Sequence, residues 1–138
     1  IPDKYVQAVL DGKFPDRTQY LLHIPQKLRN YIRKALAVNV TDRYNSVLEF
    51  LNDLSSIEID YDWEFSPQPD KEQWFCSKEE KEYIITLSPI DDKSCCVKTT
   101  KKTQNNPSDR QITDYCNKNL KFDEAYKLIK DALSNKSL

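Results

Sequence analysis

Apolar residues recur at intervals of three and four between positions 25 and 37, which is the spacing of one face of an α-helix. Charged side chains fill most of the intervening positions, so the pattern predicts an amphipathic helix. Pro25 suits its first turn, where the N–H that proline lacks would have no partner within the helix. The predicted apolar face consists of Leu28, Tyr31, Ile32, Ala35 and Leu36.

Two more helices are predicted in the same part of the chain. Helical spacing of apolar residues at 3–10 predicts a short helix, and a loop containing two prolines follows at 13–25. Another helix is predicted at 46–54, where Ser46 and Glu49 have the spacing of a capping box. These helices need a larger body to pack against.

The period of the pattern changes from helical to two after residue 56. Five apolar residues alternate with four acidic ones up to residue 65, which predicts a strand with one acidic, solvated face. Further strands are predicted at 73–76, 82–87, 95–100 and 111–115, arranged as an antiparallel meander. A last amphipathic helix at about 122–133 is expected to cover one face of the sheet. The alternating residues are Ile57, Ile59, Tyr61, Trp63 and Phe65, between Glu58, Asp60, Asp62 and Glu64.

These patterns predict an α+β chain of two domains. Residues 1–55 are the helical part, and residues 56–138 form a small antiparallel sheet packed against one C-terminal helix. The composition, 38% hydrophobic and 11% aromatic, is that of a chain that folds. The mean hydropathy of −0.76 and the lack of a long apolar run argue against a membrane span, and we expect a cytoplasmic protein. Because the chain has no methionine and starts with Ile1, we expect it to be a fragment.

The residue inventory leaves little room for catalysis or metal binding. With Gly12 as the only glycine, no Gly-rich loop can close around phosphates. The four cysteines form no CxxC pair and are expected to be free thiols. The single histidine, His23, has apolar neighbours and no carboxylate or cysteine at a spacing that forms a site. We therefore predict no catalytic residue, no metal site and no cofactor in this chain.

Residues 24–36 followed by 42–50 resemble the final part of the large lobe of Ser/Thr protein kinases. In that family a helix starts after an Ile-Pro-like pair and ends in Lys-Ala-Leu. A short loop and an arginine then precede a helix that begins at serine. The corresponding residues here are Ile24 and Pro25, positions 34–36, Arg43 and Ser46. Residues 5–15 resemble the preceding helix and its Gly-x-x-Pro loop, so the resemblance covers about residues 3–54.

The resemblance implies a parent protein that uses ATP and Mg²⁺ to phosphorylate protein Ser or Thr residues. The catalytic and nucleotide-binding motifs would all precede Ile1, so this chain itself would be inactive. Arg43 would have a structural role, pairing with a glutamate at the end of the activation segment, and without that partner we expect a weakened or repacked helical part. Asn39 and Val40 replace the Asp-Pro of many members, from which we expect a divergent, bacterial branch.

Other interpretations compete for the second domain. Lys98, Lys101 and Lys102 could contact phosphate, and three aromatic residues could stack on bases or form a partner surface. From Ser56 onward, however, the chain has 13 basic and 16 acidic residues, and this excess of acidic residues argues against nucleic-acid binding. The simpler interpretation of the aromatic residues is a core between sheet and helix. The three aromatic candidates for a partner surface are Trp63, Trp74 and Tyr83.

Two further patterns have simpler explanations than a binding site. The acidic alternation at 58–64 could bind a cation, but a solvated strand face explains it more simply. The helices at 25–37 and 46–54 could be a DNA-binding helix-turn-helix, but their connection is longer than three or four residues. The leading hypothesis is a non-catalytic C-terminal part of a Ser/Thr kinase, whose partners are the rest of the kinase domain and a protein recognised by the sheet domain. A nucleic-acid-binding sheet face is the alternative, and a self-association module is a third hypothesis.

Overall fold

The computed structural model describes residues 3–103 and 106–138, with only the backbone at positions 106 and 107. The chain separates into two compact units, one ending at Glu58 and the other running from Ile59 to Leu138. We call them unit 1 and unit 2. The fold is α+β, because unit 1 is helical and unit 2 is an antiparallel sheet with one helix packed on it.

Unit 1 contains three α-helices, α1 (Asp3–Leu10), α2 (Gln26–Ala35) and α3 (Val47–Ser55), with a 3₁₀ turn at Val40–Asp42. All three lie where the apolar spacing predicts helices. The chain leaves α1 through Gly12, whose φ of +70° is a conformation that residues with a side chain rarely adopt. At the start of α3 the Ser46 hydroxyl accepts a hydrogen bond from the Glu49 N–H at 3.1 Å, as the predicted capping box requires.

Unit 2 is a six-stranded antiparallel sheet. Strands β1 to β5 follow one another across it as a meander, and β5 and β6 share one edge of β4. The ten-residue β4 is long enough for this, pairing with β5 through Thr100–Thr103 and with β6 through residues 94–97. The bounds are β1 (Glu64–Gln68), β2 (Lys71–Lys78), β3 (Lys81–Pro89), β4 (Ser94–Thr103), β5 (Asn106–Gln111) and β6 (Asn117–Lys121).

Two of the predicted strands are wrong. Residues 57–63 form no ladder, and β1 begins at Glu64 and continues through Pro67. A proline is tolerated there because β1 is an edge strand, paired only with β2. The strand predicted at 111–115 is also wrong, because Gln111 ends β5 and Thr113–Tyr115 is a 3₁₀ turn.

The core of unit 2 lies between the sheet and the last helix, α4 (Phe122–Ser134). Ala125, Ile129 and Ala132 of α4 are completely buried. Alternate residues of the three central strands contribute the other side of this core. The Tyr126 hydroxyl donates to the Glu72 carboxylate at 3.2 Å and so ties α4 to β2. The buried strand residues are Trp74, Cys76, Tyr83, Ile85, Leu87, Cys95, Val97 and Thr99.

Candidate functional site

The three aromatic residues considered as a partner surface lie in the core of unit 2. Trp63, Trp74 and Tyr83 are 5%, 1% and 2% exposed, so none of them is available to a partner in this structure. Register places Trp74 and Tyr83 on the face of the sheet that α4 covers. Trp63 precedes β1 and joins the same aromatic cluster through Tyr61, whose ring contacts both Trp63 and Tyr83. The core interpretation of these residues therefore replaces the surface interpretation.

The aromatic core is held by ring contacts and by one buried hydroxyl. The rings of Tyr61 and Tyr83 meet edge to face with centroids 5.3 Å apart, and those of Phe65 and Trp74 lie 5.0 Å apart. The Tyr83 hydroxyl donates to the carbonyl oxygen of Leu138 at 3.0 Å. Burial raises the pKa of Tyr83 to about 12, so this hydroxyl stays protonated and serves as a structural donor.

Arg43 lies on the surface of unit 1 and not in a buried pair. Its Nε donates to the carbonyl of Ala37 at 2.6 Å and its Nη2 to that of Val38 at 3.4 Å. The expected guanidinium without a partner is therefore not observed, since backbone oxygens of the preceding loop accept from it. These contacts hold the guanidinium beside the end of α2, with the residue exposed.

Polar and aromatic contacts join α2 to α3. Lys34 Nζ is 3.0 Å from a carboxylate oxygen of Glu49 and 4.0 Å from the ring centroid of Tyr44. The Tyr44 hydroxyl donates to Asp53 at 2.8 Å. Partial burial is the main reason that the pKa of Tyr44 is raised to about 12, and this hydrogen bond is the second. The two helices are thus linked at their surface by charge and hydrogen bonding as well as by apolar contact.

The most distinctive feature of unit 1 is its large exposed apolar area. No described residue before Ile59 is buried, whereas unit 2 contains a full core. Twelve of the fourteen exposed large hydrophobic residues in the described chain belong to unit 1. We call these twelve the apolar surface of unit 1: Tyr5, Val6, Val9, Leu10, Phe14, Leu21, Leu36, Val38, Val40, Val47, Leu48 and Leu51.

The other candidate side chains are not brought together. Glu58, Asp60 and Asp62 lie in an irregular segment, and Asp60 is paired with Lys136 at 3.2 Å, so the predicted acidic strand face does not form. His23 is half-buried. Among the residues that the structure describes, no three His, Cys, Asp or Glu side chains could hold a metal ion.

The four cysteines are free thiols. Cys76 and Cys95 are buried, and burial raises the pKa of both thiols, which makes them less reactive. Cys116 is half-buried, and its Sγ lies 3.2 Å from the backbone N of Thr99, between β4 and the 3₁₀ turn that follows β5. The cysteines therefore contribute to packing in unit 2.

The face of the sheet opposite α4 is called here the open face. It carries the strand residues that alternate with the buried core residues, and many of them are polar. Register places Gln73, Thr86 and Lys98 in one row across β2, β3 and β4. Of the three lysines considered for phosphate contact, Lys98 and Lys102 therefore share the open face, while Lys101 points to the other side. Lys71 lies on the same face and was not among the residues predicted from sequence, although strand alternation was the signal that could have located it.

Phe75 and Ile84 form the apolar centre of the open face. They stand directly opposite each other on β2 and β3 and are half-buried. In the next row toward the β2–β3 turn, Glu82 faces Lys102. A shallow depression of about 300 Å³ lies beside this turn and is lined mainly by charged side chains. Its lining residues are Ser77, Glu79, Glu80, Lys81, Glu82, Lys102 and Thr103.

Comparison of the chain with protein-family models, with curated proteins and with solved structures gave no match. Within the described residues, no helix combines the length and the apolar character needed to cross a lipid bilayer. Functional inference therefore depends on the residues and geometry of the two units themselves.

Proposed function

We propose that unit 1 is the end of the large lobe of a Ser/Thr protein kinase, and that unit 2 is an accessory domain for regulation or partner binding. In this proposal the chain is not itself catalytic. The parent protein would carry out ATP- and Mg²⁺-dependent phosphoryl transfer to protein Ser or Thr residues. The observation that carries the proposal is the apolar surface of unit 1.

Isolated helices of eight to ten residues are marginal in water unless an apolar face is buried against a neighbour. α1, α2 and α3 have these lengths, and none of them buries a residue. On α3, Val47 and Leu48 are 75% and 67% exposed. Such a surface is explained if unit 1 is one side of a larger helical body, as the end of a kinase lobe would be.

The position of Arg43 supports the same proposal. Its guanidinium is accessible, and the two carbonyls of residues 37 and 38 fix its place next to the end of α2. An arginine can donate two hydrogen bonds to a carboxylate while keeping a backbone contact, because its five N–H donors point in several directions. This is the role that the kinase resemblance assigns to Arg43.

The test compares this chain with the longest product of its gene. Protein phosphorylation and ATP hydrolysis are measured for both, and amide hydrogen exchange is measured across α1 and α3. We expect phosphorylation by the longer product alone, and slower exchange there at the apolar surface of unit 1, because the remainder of the lobe covers it. Absence of phosphorylation by the longer product, or equal exchange in both, would overturn the proposal.

Matched arginine variants make the test specific. In the longer product, Arg43→Ala should lower phosphorylation at least ten-fold by loosening the activation segment, whereas Arg33→Ala, on α2, should leave it nearly unchanged. Equal losses in the two variants would contradict the role given to Arg43. Far-UV circular dichroism of both variants checks that each remains folded.

We assign unit 2 to binding or regulation by contact, because its core is complete and its surface is polar. A nucleic-acid-binding sheet would need stacking residues, but Trp63, Trp74 and Tyr83 lie in the core. Addition of a partner strand is opposed by Pro67 in edge strand β1, since proline has no N–H to donate. We propose that unit 2 makes its contacts through the open face of the sheet.

A further inference from the structure

One half of the open face carries basic side chains and no carboxylate. Lys71 stands opposite Gln68, and Ser88 stands opposite Cys96. Both pairs adjoin the last β2–β3 pair, Glu72 and Leu87, so the four residues form one row of the open face. The adjacent row contains Gln73, Thr86 and Lys98. On the opposite side of the first row, Lys121 of β6 pairs with Ser94 of β4. We call Lys71, Lys98 and Lys121 the lysine patch.

The charge of the lysine patch contrasts with that of the unit around it. From Ile59 to Leu138 the chain has 13 basic and 15 acidic residues, a net charge of −2. Glu64 and Glu82 belong to the other half of the open face, beyond Gln73 and Thr86. In the neighbouring β3–β4 turn, Asp91 already accepts from the N–H groups of Lys93 and Ser94, and Asp70 lies in the β1–β2 turn.

The backbone N–H of Lys121 donates to the Glu124 carboxylate at 3.3 Å, but among the described residues the ammonium groups of the lysine patch have no such partner. Lys98 and Lys121 are exposed and Lys71 is half-buried. Within the described parts of the chain, no ion pair joins any of the three to an acidic side chain. Between them lie polar side chains. The Gln73 amide donates to the Thr86 hydroxyl at 3.1 Å and accepts from Gln68 at 2.9 Å. The hydroxyls of Thr86 and Ser88 can donate to an anion.

The spacing of the patch distinguishes between kinds of anion. Strands about 4.8 Å apart with a rise of about 3.4 Å per residue place the Cβ atoms of the three lysines roughly 12 to 16 Å from one another. A single phosphate would need converging cations, but carboxylates three to five residues apart on an extended peptide match this separation. Nucleic acid fits less well, because this half of the face offers no aromatic ring for stacking.

We propose that the lysine patch binds an acidic, extended peptide segment of a partner protein, with Phe75 and Ile84 beside it taking an apolar side chain of that segment. This deepens the contact function proposed for unit 2 and does not depend on the kinase assignment of unit 1. The segment lies across the open face and does not add a strand to either sheet edge.

The test uses the full chain and fluorescence anisotropy of a labelled 16-residue peptide, with glutamate at every fourth position and one leucine. A peptide with glutamine in place of glutamate and a 16-nucleotide oligothymidylate are the comparison probes. We expect the glutamate peptide to bind, with affinity falling as salt rises, and the glutamine peptide to bind at least ten-fold more weakly.

Lysine variants locate the site. Lys71→Gln combined with Lys98→Gln should weaken binding of the glutamate peptide about ten-fold, as two lost charge contacts would. Lys127→Gln combined with Lys130→Gln, on exposed positions of α4, removes the same charge and should change little. Phe75→Ser should weaken the glutamate and glutamine peptides by similar factors, because the apolar contact is common to both.

Three results would overturn the proposal: equal weakening by the two lysine pairs, tighter binding of oligothymidylate that depends on Lys71 and Lys98, or no anisotropy change at low salt with about 1 mM protein. The first would indicate general charge attraction and the second a nucleic-acid site. None of them bears on phosphorylation by the longer gene product, so failure here is separable from failure of the kinase proposal.

Discussion

Truncation of Ile129 tests the account of the core of unit 2. Ile129 is completely buried in the middle of α4, and its buried neighbours on the helix, Ala125 and Ala132, are too small to fill the space it would leave. Isoleucine-to-alanine changes at such sites cost about 2 to 5 kcal/mol. A unit of this size has roughly 4 to 12 kcal/mol of stability, so Ile129→Ala should remove a large part of it.

Tryptophan fluorescence makes the measurement specific to unit 2. The chain has two tryptophans, Trp63 and Trp74, and both are buried there. In urea titrations the Ile129→Ala midpoint should fall with the slope unchanged, and the thermal midpoint should drop by roughly 10 to 25 °C. Ile90→Ala, at a position 57% exposed, is the control and should cost less than about 0.5 kcal/mol. An equally small effect of both variants would refute the packing argument.

The remaining predictions concern a buried hydroxyl and a strained turn. Because burial raises the pKa of Tyr83 from about 10 to about 12, the stability that its neutral form contributes is complete below pH 10 and is lost as pH rises through 12. Tyr83→Phe should therefore flatten the fall of the urea midpoint between pH 10 and 12, and an unchanged fall would contradict the assignment. Gly12→Ala should destabilise unit 1 by about 1 to 3 kcal/mol, because φ is +70° and the new Cβ would overlap Val38 Cγ2. Adding Val38→Ala relieves the overlap but leaves the φ strain, so the double variant should regain only part of the lost stability in thermal circular dichroism. Recovery of all the lost stability would show that φ is unimportant.

The elements that could be predicted from sequence are those with a strong local signal. Helical spacing located α1, α2 and α3, and Ser46 and Glu49 marked the start of α3. The α+β class followed from the change of period. These signals are local because helix hydrogen bonds join residues four positions apart, so a short stretch of sequence contains most of the information.

The strand errors have a long-range cause. Residues 57–63 alternate like a strand, but Tyr61 and Trp63 are held by ring contacts within unit 2 without ladder pairing. Conversely β6, with the sequence NKNLK, has a single apolar residue and forms because the long edge of β4 is available to it. Pairing partners lie far away in sequence, and neither their presence nor their absence can be predicted from a five-residue pattern.

The candidate sites could be predicted only in part for a similar reason. Strand alternation predicts which residues share a face with Trp74 or with Tyr83, but it does not predict which face the helix covers. The covered face decides whether these two residues lie in the core or on the surface. The lysine patch combines residues from β2, β4 and β6 that are 27 and 23 positions apart in sequence. Only the register of the assembled sheet places Lys71 and Lys98 on one face.

The two units differ in how much of their stability their own packing can supply. Unit 2 buries a contiguous set of large side chains, so its stability can be explained from its own residues. Unit 1 has helices of eight to ten residues and no buried side chain, so its own packing supplies little of the free energy that ordering these residues requires. The apolar faces of its amphipathic helices are left exposed in this structure. The kinase proposal identifies the cover of these faces as the rest of the same lobe, and hydrogen exchange across α1 and α3 measures whether that cover is present.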